Sequence, residues 1–177
     1  NEEGVGQAIA QAGLPRDELF ITTKLWNADQ GYDATLRAFD KSIERLGLDY
    51  VDLYLIHWQT PARGLYVETF EAFKQLRADG RVRSIGVSNF SEPHLTELID
   101  RTGTVPAVNQ VELHPRLTLE PLRKFHADKG IATEAWSPLG QGDALKDETI
   151  AGIARRLDVS PARVVIAWHL ALGLSVI

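Results

Sequence analysis

The sequence predicts an α/β protein in which helices cover a parallel sheet, and three observations carry that expectation. Apolar runs of strand length alternate with segments of helical period along the whole chain, the runs are near-continuously apolar, and polar residues gather where the runs end. A strand covered by helices on both sides has no solvated face, so continuous apolar runs point to parallel strands.

Along the chain, LFITTKL (19–25) precedes DATLRAFDKSIERLG, where Leu36, Phe39, Ile43 and Leu46 recur at helical spacing and Gly47 supplies the left-handed stop. YVDLYLIH (50–57) leads to a helix carrying Val67, Phe70, Phe73 and Leu76 that stops at Gly80. RSIGVSNF (83–90) leads to EPHLTELID, with Ser91 as the expected N-cap. VPAVNQVEL (105–113) leads to LEPLRKFHADKG, and IATEAW (131–136) to a helix around Ile150, Ile153 and Leu157. SPARVVIAWHLALG places Ser160 at an N-cap and Pro161 at the first helical position, where its missing N–H costs nothing, and LSVI (174–177) begins a sixth strand.

Composition narrows the function. With 44% hydrophobic and 24% charged residues, 177 residues suit one globular domain with a sizeable core. A net charge of −5 with interspersed signs gives no basic stripe for nucleic acid or an anionic membrane surface. No cysteine is present, which excludes disulfides and thiolate metal sites and fits a reducing compartment, so the expected location is cytoplasmic. No apolar run reaches the ~18 residues of a membrane span, and the N-terminus has no basic region followed by an apolar stretch.

Two architectures satisfy the pattern: a doubly wound open sheet or a (β/α)8 barrel. GVGQAI lacks the third glycine of a dinucleotide fingerprint and follows no strand, which argues against the first. The barrel gains from the polar residues, because barrel sites lie at the C-terminal ends of strands. Lys24 closes the first strand, His57 the second, Ser88 and Asn89 the third, Asn109 and Gln110 the fourth, and Glu134 and Trp136 the fifth. Buried without partners such groups would each cost ~1–3 kcal/mol, so a mouth lined by them should hold something polar. His94, His114, His126 and His169 show no metal-ligand spacing, and no metal is expected.

ITTKLW, LGLDYVDLYLIHW, RSIGVSNF, PAVNQVELHP and AWSPLGQG, in this order and at these intervals, resemble the aldo-keto reductases, (β/α)8 barrel enzymes dependent on NAD(P)H. WSPLGQG is similar to the bacterial 2,5-diketo-D-gluconate reductase branch. The resemblance covers essentially the whole chain, as a single incomplete barrel domain over 1–177 with about six of the eight strands.

The resemblance implies roles. Lys24 matches the family's catalytic lysine, which with an aspartate lowers the pKa of a proton-donating tyrosine. His57 matches the active-site histidine, whose neutral imidazole hydrogen-bonds the substrate carbonyl. Trp58 would line the apolar wall of the substrate pocket. Ser88, Asn89 and Gln110 match the partners of the nicotinamide carboxamide, which needs both donors and an acceptor. Trp136 matches the aromatic stacked on the nicotinamide, a place more often held by tyrosine. Ser137, Leu139 and Gln141, with Asp143 on the same strap, match positions around the pyrophosphate, where Gly140 and Gly142 permit close backbone approach. The implied cofactor is NADPH, with NADH still open, the partner a small carbonyl substrate, and the intact form a monomer.

The sequence departs from the family pattern at three places. The catalytic tyrosine and aspartate belong before residue 1, since NEEGVG resembles the segment directly after that tyrosine; Tyr32, Tyr50, Tyr54 and Tyr66 occupy the wrong motifs. The family continues past SVI into a basic segment and a C-terminal loop. Gln59 stands where the family usually has proline, which bears on the loop after His57. These departures lead to the expectation that the chain is a portion of a longer polypeptide and inactive alone. A non-catalytic cofactor-binding subunit and an inactive fragment are the two other readings of the same residues.

Overall fold

The structure, a computed structural model, describes residues 1–177. It divides into two compact units, Asn1–Ala107 and Val108–Ile177, and strands alternate with helices in both. None of its helices is long and apolar enough to cross a membrane.

The first unit holds helix α1 (Glu2–Ala12), strand β1 (Thr22–Leu25), α2 (Tyr32–Leu46), β2 (Val51–Ile56), α3 (Tyr66–Ala78), β3 (Val82–Ser88) and α4 (Glu92–Thr102). β1, β2 and β3 pair in parallel, with Lys24 opposite Leu55 and Leu55 opposite Gly86. Every residue of β2 is buried, as its continuous apolar run requires. Tyr54 sits between Phe39 of α2 and Phe73 of α3, at 5.0 and 4.3 Å between ring centroids, so the even-numbered residues of β2 face the helices. Leu55 and His57 face the other way.

At the opposite end of β2, Asp52 is only 2% exposed. Its carboxylate accepts from Arg16 Nη2 at 2.8 Å and from Ile21 N at 2.9 Å, and it pairs with Arg83 at 3.1 Å. Both guanidiniums also lie over the Tyr50 ring, at 4.0 and 4.4 Å.

The buried face of α2 is Thr35, Phe39, Ser42 and Leu46, whereas Leu36 and Ile43, expected to mark it, are half-buried. The face is turned by one residue because α2 is also flanked by α1, a helix the apolar period does not announce and which buries no side chain. α1 instead brings its backbone close: a Cβ on Gly6 would stand 2.6 Å from the carbonyl oxygen of Leu46, so only glycine fits. Ser91 precedes α4 as expected but does not cap it, because its hydroxyl is bonded to His94 Nδ1 at 2.8 Å.

The second unit holds β4 (Val108–Glu112), α5 (Glu120–Lys129), β5 (Ala132–Trp136), α6 (Glu148–Leu157), α7 (Pro161–Ala171) and β6 (Ser175–Val176). β4, β5 and β6 pair in parallel, with Gln110 opposite Glu134 and Glu134 opposite Ser175. Asp147 caps α6 by accepting from Thr149 N and Ile150 N, and Ser160 caps α7 by accepting from Arg163 N. Leu157, expected on the core face of α6, is exposed at the helix end.

Two buried histidines tie the layers of this unit. His126 of α5 is bonded to Asn109 Nδ2 at 2.9 Å and to Thr133 Oγ1 at 2.8 Å. His169 of α7 is bonded to the carbonyl oxygens of Val165 and Leu113.

Candidate active site

In the first unit the polar residues of the strand ends lie at one end of one face. Lys24 is the third residue of β1, His57 follows β2, and Ser88 closes β3; the register puts all three on the face away from Tyr54. The amide N–H of His57 donates to the carbonyl of Leu25, carrying the β1–β2 pairing to the strand ends. Lys24 and His57 both line a cleft of about 760 Å³ along β1 that also takes in Trp26, Glu2, Lys41 and Arg45.

Two effects hold the His57 pKa below that of an ordinary histidine: burial first, and then the ammonium of Lys24. Both disfavour a second proton, so the imidazole is kept neutral near pH 7 and able to donate one hydrogen bond while accepting another.

Ser88 is 1% exposed. Asn89 takes a left-handed backbone at φ 64, a conformation asparagine tolerates, and its Nδ2 donates to the His57 carbonyl at 3.0 Å and to Ser88 Oγ at 3.1 Å. Asn89 therefore fastens the end of β3 to the end of β2.

Two tryptophans flank the imidazole. Trp58 stacks at 6.3 Å between centroids, and Trp26 meets it edge to face at 5.3 Å. Sequence reasoning passed over Trp26, although it directly follows a strand end in ITTKLW; any residue one step beyond Lys24 and Leu25 reaches the same rim.

Gln30, only 3% exposed, was also missed. Its Nε2 donates to the Trp58 carbonyl at 2.6 Å and its Oε1 accepts from Thr60 Oγ1 at 2.6 Å, while Arg63 donates to the carbonyls of Asn27 and Ala28. The loops that carry the two tryptophans are thereby joined.

The second unit presents its own strand ends. Gln110 Nε2 donates to Glu134 Oε1, and Trp136 lies two residues beyond Glu134 on the same face of β5. Asn109, expected beside Gln110 at the rim, is turned the other way to His126, because neighbouring residues of a strand point to opposite faces. After Trp136 the chain turns through left-handed backbone at Ser137, Gly140, Gln141 and Gly142, held by Gly140 N to Ser137 O at 2.8 Å and Gly142 N to Leu139 O at 3.0 Å.

Leu139 anchors this strap by packing on Ala144, Ile150 and Val165. Gln141 is exposed, and so is Asp143, which pairs with Lys146 at 3.5 Å. An amide and an indole on one face, followed by a strap of left-handed backbone turns, suit a nicotinamide head and its phosphates in the chemistry of their donors.

The aldo/keto reductase family model matches residues 1–177. An aldo-keto reductase of Mycolicibacterium smegmatis is 61% identical over 177 residues, which are all of this chain and 64% of that protein. A glyoxal reductase of Bacillus subtilis is 52% identical over 177 residues, all of this chain and 63% of that protein. The chain thus spans a little under two thirds of these curated relatives.

Among solved structures, a mutant of Gox0644 in complex with NADPH matches with a TM-score of 0.95 at 53% identity, over all of this chain and 64% of that one. The fold class is α/β, that of the (β/α)8 barrel reductases, and six of the strands lie in this chain. On the family model and these identities, the chain belongs to the aldo/keto reductase family.

Proposed function

We propose that the protein carrying this chain is an NADPH-dependent oxidoreductase that reduces aldehyde and ketone groups of small molecules to alcohols. The observation that carries the reading is the pair at the ends of β1 and β2: a lysine ammonium and a neutral imidazole open onto one cleft, and the imidazole is flanked by two tryptophans, of which Trp26 also lines the cleft. NADPH, when bound, supplies the hydride.

His57 donates its hydrogen bond to the carbonyl oxygen and orients it, and Trp26 and Trp58 supply the apolar walls. Ser88, Asn89 and Gln110 hold the carboxamide, Trp136 stacks on the ring, and Ser137, Leu139, Gln141 and Asp143 border the phosphates. The NADPH-bound neighbour supports NADPH over NADH, and the Bacillus subtilis relative supports a small reactive carbonyl such as glyoxal as substrate.

The proton is assigned to a tyrosine outside residues 1–177, whose phenolate Lys24 would stabilise. The tyrosines within the core are unsuited: burial raises the pKa of Tyr54 far above the usual phenol, and burial and Glu97 push Tyr66 up to about 12. We further assign the enzyme to the cytoplasm, which the cysteine-free composition supports, and take its intact form to be a monomer.

The test is NADPH consumption by the full-length protein with glyoxal and with simple ketones. Wild type turns over, and Lys24→Met lowers kcat by about 100-fold or more, as loss of acid–base assistance does. Absence of turnover with any carbonyl, or full activity in Lys24→Met, would overturn the reading.

A further inference from the structure

Gln110 of β4, Glu134 of β5 and Ser175 of β6 stand opposite one another on three adjacent parallel strands. Their side chains make one hydrogen-bonded row: Gln110 Nε2 donates to Glu134 Oε1, and Ser175 Oγ donates to Glu134 Oε2 at 3.1 Å. Both oxygens of Glu134 accept, as those of a carboxylate do, and both donors are neutral, so this row does not offset its charge.

The row has a definite side. Asn109 and Thr133 reach His126 of α5 and so face the helix layer. Gln110 and Glu134, one residue further along their strands, face away from it, and Trp136 shares their face at the end of β5. A negative charge therefore lies one hydrogen bond behind Gln110 and one step below Trp136.

We propose that Glu134 biases the site toward the oxidised nicotinamide. The inference rests on the reading of Gln110 and Trp136 as nicotinamide partners. The reduced ring is neutral and the oxidised ring carries a positive charge, so a fixed anion in a partly desolvated site attracts one form and is indifferent to the other. A ligand pair can be discriminated only by such a differential interaction. By favouring the product form of the nucleotide, Glu134 makes hydride donation more favourable than it would be in the same site without that charge. It is a positioning residue for the Gln110 amide as well, because it commits the Gln110 NH2 group to the strand row.

The test is the pair of dissociation constants for NADP+ and NADPH, measured by calorimetry or fluorescence quenching on the full-length protein. In Glu134→Gln the ratio Kd(NADP+)/Kd(NADPH) should rise about 3- to 10-fold, the range a single charge gives at about 6–8 Å where water still screens much of it. Glu134→Asp, which keeps the charge but shortens the reach to Gln110, should hold the ratio within about twofold of wild type. Glu134→Met, neutral and of similar volume, should repeat the shift seen with glutamine and stands in for it if that variant does not fold. An unchanged ratio, or equal weakening of both nucleotides in the neutral variants, makes the role one of packing and overturns the inference. If wild type binds neither nucleotide, the cofactor reading itself falls, and the inference with it.

Discussion

The imidazole of His57 meets the indole of Trp26 edge to face, with ring centroids 5.3 Å apart and planes inclined at 68°. Trp26 is 57% exposed, so its ring does little for the core, yet it fixes one side of the histidine. An edge contact of this kind is worth ~0.5–1.5 kcal/mol. Trp26→Ala should raise KM for carbonyl substrates by about 3- to 10-fold while changing stability by under ~1 kcal/mol, as steady-state kinetics and urea unfolding would show.

Lys24 should be visible in the titration of His57. Burial and the ammonium both hold the imidazole below its ordinary value of 6.5, and Lys24→Met removes the second cause. The His57 ring proton should then titrate at higher pH by NMR; a midpoint that stays or falls would contradict the electrostatic coupling.

His126 should make stability depend on pH. Burial lowers its folded-state pKa from 6.5 to about 4, and its ring is bonded as a neutral imidazole to Asn109 and Thr133. The unfolded chain binds the proton first as pH falls, so stability is full above pH ~6.5 and declines toward pH ~4. The loss attributable to this residue is about 3 kcal/mol. Urea midpoints between neutral and mildly acidic pH should fall more steeply in wild type than in His126→Gln.

Asp52 should be the costliest charge to remove from the first unit. Its carboxylate serves two guanidiniums and a backbone N–H while almost wholly buried. Asp52→Ala should destabilise by about 3 kcal/mol, since it leaves Arg16 without its buried counter-charge. The site is at the far end of β2 from His57, so nucleotide affinity measured on the folded variant should stay within about twofold.

Much of this arrangement was legible in the sequence, and the misses have physical causes. Six strands and the helices between them follow from continuous apolar runs and 3.6-residue spacing, because burial on both faces leaves that trace. In such strands the alternation that would tell one face from the other is erased, which is why Asn109 and Gln110 read alike although one serves α5 and the other β5. Helix α1 left no apolar stripe because it packs through the backbone at Gly6. The same crowding turns α2, so Thr35 and Ser42 are buried in place of Leu36 and Ile43. Gln30 is an unremarkable loop residue until two loops close on it, a relation that no local pattern encodes.

Because one amide grips both the carbonyl of Trp58 and the hydroxyl of Thr60, the loop after β2 inherits its placement from the loop after β1. An insertion or deletion on either side alone would strand a buried amide, at a cost of ~1–3 kcal/mol. Sequences descending from this one can thus widen or narrow the space between their two indoles only by paired changes in length, and such loops should vary together rather than singly.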